Sequence, residues 1–212
     1  MLIDISERKR AEEHQKLLID ELNHRVKNTL ATVQSIAAHT RRSSRDLPSF
    51  ARNFEPRLLA LSKAHELLTH HSWAGIGLHE LLRQELTPYG DGSVGRVRLE
   101  GPNFMLSPRV GLALSLVLHE LTTNAAKYGA LSDGQGLVTV RWSTEKADSN
   151  TGPILRIDWL ESGGPPVARP AKRSFGTRLI ERSVTMELQG SVALDFDPAG
   201  LRCTLELPLG QL

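Results

Sequence analysis

Glu21-Leu22-Asn23-His24-Arg25-Val26-Lys27-Asn28-Thr29-Leu30-Ala31 lies in a stretch without glycine or proline that runs from about Ser6 to Arg42. Apolar residues at Leu18, Leu22, Val26, Leu30, Val33 and Ala37 step by three and four, which predicts a long amphipathic helix with one buried stripe. At about 100° per residue His24 falls roughly 200° from Leu22, on the wet face. Asp20, Glu21, Lys27 and Asn28 lie within about 60° of it. An imidazole is thereby held toward solvent among carboxylates, an amine and an amide. Taken alone, this pattern also describes an ordinary surface histidine on a charged helix.

Working outward, Glu7 to Glu13 is nearly all charge and reads as a solvated lead-in, so residues 1–14 are expected to be a linker. Ser43 to Pro48 is a polar break, hence a turn. Beyond it Phe50, Phe54, Leu58, Leu61, Ala64 and Leu68 mark a second amphipathic helix, making residues 15–71 an antiparallel helical hairpin. Two helices cannot enclose both apolar faces, so the hairpin either dimerises into a four-helix bundle or is covered by another domain.

Residues 72–77 read as a hinge, and 78–212 have a different character. A short helix is expected over Leu78–Leu86, a strand over Val94–Glu100, and a strongly apolar helix from Pro108 to about Tyr128. Val138–Trp142 and Ile154–Trp159 read as strands, and residues 162–175 as an irregular loop. A helix over Thr177–Leu188 should stop at Gly190. Strands Ser191–Phe196 and Arg202–Leu207 flank a turn at Asp197-Pro198-Ala199-Gly200. This order predicts an α+β sandwich, a mixed or antiparallel sheet with helices on one face.

Composition narrows the function. The 212 residues carry a formal net charge of only +2, which points away from nucleic acid and acidic membranes. The longest clean apolar run, Val110–Leu118, is too short to span a bilayer, and no signal peptide is visible. Cys203 is the single cysteine, so no disulfide can form within the chain and a cytoplasmic setting is expected.

The chemistry-bearing residues sit downstream. Glu120, Asn124 and Lys127 in His119-Glu120-Leu121-Thr122-Thr123-Asn124-Ala125-Ala126-Lys127-Tyr128-Gly129 are spaced i, i+4, i+7. A carboxylate, an amide oxygen and an ammonium on one helical face suit a nucleotide with Mg²⁺. In Asp158-Trp159-Leu160-Glu161-Ser162-Gly163-Gly164 a strand ends in acids and runs into glycines, which let backbone approach a ligand. In Phe175-Gly176-Thr177 a glycine opens a helix whose free N–H groups favour phosphate. Each element alone could equally be a polar helix face or a turn.

Their order after the His24 helix resembles the HWE subgroup of sensor histidine kinases. Glu-Leu-x-His-Arg-x-Lys-Asn-x-Leu-Ala is similar to its phosphoacceptor box, His119–Gly129 to its N box, and Trp159-x-Glu161 to the motif giving its other two letters. The resemblance covers roughly residues 15–210. It implies a dimerisation and histidine-phosphotransfer hairpin followed by a Bergerat-type ATP-binding domain, 78–212. It also implies that His24 accepts the phosphoryl group, with Glu21 and Asn28 beside it in the box. Glu120 and Asn124 would hold Mg²⁺, and Lys127 would meet the phosphates. Glu161 would meet the adenine, Gly163, Gly176 and Thr177 would frame a nucleotide lid, and His119, Tyr128, Trp159 and Gly164 complete the ATP motifs.

Two departures stand out: Ser174 replaces the first glycine of the lid motif, and Arg25 replaces the acid that follows the histidine in other histidine kinases. The carboxylates one turn back are Asp20 and Glu21. Glu21 is favoured as the base toward His24, and a surface ion pair with Arg25 is its other reading. Asp4-Ile5-Ser6-Glu7-Arg8-Lys9 resembles the tail of PAS sensor domains, which implies an upstream sensor. The expected partners are a second copy of the chain and a response-regulator receiver domain. A GHKL-type ATPase or serine kinase, and a non-catalytic docking or dimerisation module, are the alternatives.

Overall fold

The computed structural model describes residues 5–70, 73–90, 95–146, 152–168 and 175–211. The side chains of Glu21, His24, Arg25 and Phe175 lie outside that description, as do Ser72 and Ser174. The chain divides into two compact units, Met1–Phe54 and Glu55–Leu212. The division falls inside a continuous helix, one residue before Pro56, whose missing N–H leaves the Arg52 carbonyl without its helical donor.

The first unit holds α1 (Ile5–Ser43) and the start of α2 (Leu47–His70). Between them the polar break is a reciprocal cap. The Ser49 N–H donates to Asp46 Oδ1 at 2.8 Å, and the Asp46 N–H donates to Ser49 Oγ at 3.2 Å. Those Ser49 bonds hold the Asp46 carboxyl below its usual range. Phe50 and Phe54 stack with centroids 5.1 Å apart. The expected buried stripe of α1 needs correction: Leu22, Val26 and Leu30 are 61%, 50% and 56% exposed, and among the described residues of α1 only Ile36 and Thr40 are buried. The helix is amphipathic as its spacing requires, but these apolar side chains stay exposed.

The second unit is a mixed sheet with helices on one face. Its strands are β2 (Val97–Glu100), β4 (Leu137–Lys146), β5 (Pro153–Ser162), β6 (Ser191–Asp197) and β7 (Gly200–Pro208), ordered β2-β4-β5-β7-β6. Among the described strands only the β2–β4 pair is parallel. Alternation sends Val138, Val140 and Trp142 of β4, Leu155, Ile157 and Trp159 of β5, and Cys203, Leu205 and Leu207 of β7 into the core. The opposite face stays wet and carries Arg156, which bonds Asp158 at 2.9 Å and Glu206 at 3.3 Å. Burial opposes ionisation of Asp158, yet the Arg156 and Thr204 bonds outweigh it and hold the carboxyl low.

α4 (Pro108–Tyr128) is the central helix, opened by proline at its first position and packed on α3 (Leu78–Gly90) and α5 (Phe175–Arg182). The C-terminal half of α2 buries Ala60, Leu61, Ala64 and Leu68, and the last two join the same core. Of the stretch 72–77 expected as a hinge, residues 73–77 are described and make several contacts. Trp73 meets His65 edge-on at 4.9 Å, and β1 (Ile76–Gly77) pairs with β3 (Met105–Leu106). Gly75 has φ +138°, and a Cβ there would stand 2.7 Å from the Leu106 carbonyl oxygen. The helix expected over 177–188 begins earlier and ends as a wide turn over Ser183–Glu187, where the Leu188 N–H reaches the Ser183 carbonyl at 3.0 Å.

Candidate nucleotide site

A cavity of about 460 Å³ opens between α4, α5 and the β6–β7 end of the sheet. One wall is apolar, made by Leu121, Ile180, Leu194, Phe196 and Leu201; the polar groups that converge on it are Asn124, Tyr128, Glu161 and Thr177. That size and mixture suit a planar heterocycle with a few fixed polar contacts.

Glu161 is the anchored group. It projects from the buried face of β5 and is 6% exposed. Its Oε2 accepts the Ala130 N–H at 2.9 Å and its Oε1 accepts the indole N–H of Trp159 at 3.1 Å. Burial pushes the Glu161 carboxyl above the ordinary range, and the two donors pull it partly back. Gly129 leaves the room that this carboxylate uses, because a Cβ there would overlap Oε2. Gly164 does the same opposite Ala130, where a Cβ would come within 2.6 Å of the Ala130 Cα. Gly163 has φ +69°, the left-handed turn by which the chain leaves β5.

The loop that supplies the Ala130 N–H is itself clamped. Arg96 donates to the carbonyls of Gly136 at 3.2 Å and Ala130 at 3.1 Å, and also to that of Asp133. Asp133 in turn accepts the N–H groups of Gln135 and Gly136 at 3.1 and 3.2 Å.

The residues singled out from the sequence are distributed unequally around this cavity. Asn124, Tyr128, Glu161 and Thr177 line it. Glu120 lies one helical turn before Asn124 but is only 4% exposed, and Arg57 of α2 grips both its oxygens, Nε to Oε1 at 2.6 Å and Nη2 to Oε2 at 3.0 Å. Gly176 closes over this pair: a Cβ on it would stand 2.5 Å from Glu120 Oε2 and 3.5 Å from Asn124 Nδ2. Lys127 is exposed at the end of the same face. His119 turns the other way, its Nδ1 3.1 Å from Glu85 Oε2 on α3. Trp159 is 1% exposed and reaches the site only through Glu161.

Sequence reasoning missed Arg57, Glu85 and Arg96, whose partners lie 63, 34 and up to 40 residues away in the chain. No local spacing marks such pairs. Gly129 was legible as the end of its box, though not as room for Glu161.

The chemistry of the donors fits Mg²⁺. Glu120 and Asn124 offer hard oxygens one turn apart, and the glycine cradle at Gly176 leaves them close to backbone. Among the described residues no group of three or more His, Cys, Asp and Glu side chains could hold a metal ion.

The helix-covered mixed sheet recurs in histidine kinases of known structure. A blue-light activated histidine kinase of Erythrobacter litoralis superposes with TM-score 0.64 at 19% identity, over 92% of this chain and 59% of that one. Its isolated histidine kinase domain superposes with TM-score 0.57 at 14% identity, over 85% and 97%. Residues 21–103 match the model of the HWE histidine kinases. The blue-light-activated histidine kinases of Brucella ovis and Brucella anthropi are 38% and 39% identical over 97% and 99% of this chain. The chain is similar to the HWE histidine kinases. It spans 42% of the length of those curated relatives.

Proposed function

We propose that this chain is the kinase portion of a sensor histidine kinase. It would phosphorylate itself on His24 from ATP and pass the group to an aspartate of a response-regulator receiver domain. The observation that carries the reading is the Glu161 carboxylate, held by Ala130 and Trp159 at the floor of an apolar cavity whose other wall bears Asn124. A fixed carboxyl acceptor in an apolar slot suits the exocyclic amino group of adenine. Glu120 and Asn124 would hold Mg²⁺. When bound, that ion would neutralise the charge building on the phosphates.

The His24 imidazole forms the new N–P bond to the γ-phosphorus, the bond from phosphorus to the β–γ bridging oxygen breaks, and ADP leaves. The imidazole proton passes to a base, for which Glu21 is the choice. Glu21→Gln should slow single-turnover autophosphorylation by about 10²–10⁴-fold. A rate within a few-fold of wild type would assign Glu21 to pairing with Arg25 instead. Asn28 stands one helical turn beyond His24 in the sequence of α1.

The exposed Leu22, Val26 and Leu30 support a homodimer formed through α1. A PAS-type sensor upstream and a cytoplasmic setting complete the proposal. Among the described residues no helix is long and apolar enough to cross a membrane. The deciding experiment is incubation with γ-labelled ATP. His24→Ala should bind nucleotide normally and lose all acid-labile, alkali-stable label; label surviving on His39 or His65 would overturn the assignment.

A further inference from the structure

Glu120 is the residue this reading assigns to Mg²⁺, yet here both of its carboxylate oxygens already accept from one guanidinium. Arg57 meets them as a fork, through Nε at 2.6 Å and Nη2 at 3.0 Å, with the two side chains 10% and 5% exposed. A bidentate guanidinium is the strongest protein partner a carboxylate has, and in a dry setting it neutralises the charge that burial would otherwise penalise. Mg²⁺ demands an oxygen at about 2.0–2.1 Å. Placing it there with Arg57 still seated would put two cations against one carboxylate. The Gly176 backbone closes a further side, leaving no space even for a Cβ beside Oε2. Each oxygen keeps a second lone pair, but with Arg57 on one edge and the Gly176 backbone on another, metal and guanidinium compete for the same carboxylate.

We propose that Arg57 is a resident counter-cation for the metal-binding carboxylate and must release Glu120 before a Mg²⁺-nucleotide can be held. Because Arg57 is carried by α2, the helix that continues from the turn after α1, the state of the nucleotide site and the packing of α2 become one equilibrium. The inference rests on the ATP reading of the site. It adds a latch that keeps the site closed to metal while α2 is docked.

The test uses the ¹⁵N-labelled chain with a non-hydrolysable ATP analogue, first in EDTA and then with Mg²⁺. The Arg57 Nε–H resonance, assigned by its absence from Arg57→Lys, should be protected from exchange without ligand and with metal-free analogue. Adding Mg²⁺ should abolish that protection. By calorimetry, Arg57→Gln should bind the analogue about tenfold tighter than wild type in Mg²⁺, the competing charge-assisted bonds being gone, and equally in EDTA. Protection that persists at saturating Mg²⁺ and analogue, or a Mg²⁺ gain in Arg57→Gln no larger than in wild type, would overturn the latch. The resonance is read on wild type, so the proposal stays testable if Arg57→Gln does not fold. Mg²⁺-dependent binding with Arg57 unmoved would remove only the latch. Analogue binding with no Mg²⁺ dependence at all would remove the metal assignment of Glu120 and the latch with it.

Discussion

Replacing Trp159 with Phe removes one donor from the carboxylate at the cavity floor while leaving an aromatic ring in the core. The lost bond is the 3.1 Å indole N–H contact to Glu161 Oε1; the Ala130 N–H at 2.9 Å stays. A hydrogen bond to a charged acceptor contributes about 1.5–3 kcal/mol. The smaller ring also leaves a gap in a site that is 1% exposed, and at about 24 cal/mol per Å³ this adds roughly 1 kcal/mol. Trp159→Phe should therefore be about 2.5–4 kcal/mol less stable in urea denaturation. Packing alone would also produce part of that loss, so a second readout is needed. Burial already raises the Glu161 carboxyl and the Trp159 bond lowers it, so the variant's carboxyl rises further. Adenine recognition needs the ionised form: affinity is full at pH above the raised value and fades as pH falls through it. Linkage runs the other way for stability. A folded-state pKa above the unfolded one gives stability that is present at low pH and lost as pH rises through the folded value. In a fluorescent adenine-nucleotide titration across pH, Trp159→Phe should bind about tenfold more weakly at neutral pH, with its loss of affinity beginning at higher pH. A variant that is destabilised but keeps the wild-type affinity and pH profile would refute the positioning role and leave Trp159 as core packing.

Three further expectations follow from the same geometry. Asn124→Ala should abolish the gain in ATP affinity on adding Mg²⁺ while melting near wild type, because the residue is half-buried on the cavity wall and a methyl cannot ligate; calorimetry with and without EDTA reads it. Gly129→Ala should lose adenine-nucleotide binding and about 1–3 kcal/mol of stability, since the new Cβ overlaps Glu161 Oε2 and lies 3.1 Å from the Ala125 Cα. With φ at −115° the backbone itself is unstrained, so the whole effect is steric. Cys203 is buried, and its thiol is pushed up to about 12, first by burial and then by Asp158 and Glu161. Iodoacetamide should leave it unmodified in the folded chain and alkylate it fully in denaturant.

What could be read from the sequence was what local spacing encodes. α4 was placed from Pro108 to Tyr128 because proline opens it and its apolar run has one period. The strands around Val138–Trp142 and Ile154–Trp159 followed from alternation and differ only at their ends. The family-like motifs located Asn124, Glu161 and Thr177 at the cavity, but a motif does not say which way each residue faces. His119 and Glu120 are neighbours in sequence, yet about 100° of helical rotation sends one to Glu85 on α3 and the other to Arg57 on α2. Trp159 belongs to the same motif as Glu161 and turned out to be a core residue with one polar hand. The α1 stripe was legible as apolar, while its covering was not, since a period cannot name its partner. The two-residue pairing of β1 with β3 was too short to carry any pattern.

The wide turn at Ser183–Glu187 bears on how this chain should be compared with its kin. A loop bonded from residue i to i+5 holds one residue more than the α-helical turns beside it. Chain length is therefore negotiable there without breaking the helix: removing one residue would let it close at ordinary pitch and still deliver the chain to β6. A homologue shorter by one between Glu181 and Gly190 would carry its gap inside a helix, where sequence alignment is least inclined to place it. An aligner that slides the gap to the Gly190 turn would set Leu188, 3% exposed in the core, against a neighbour's solvent residue.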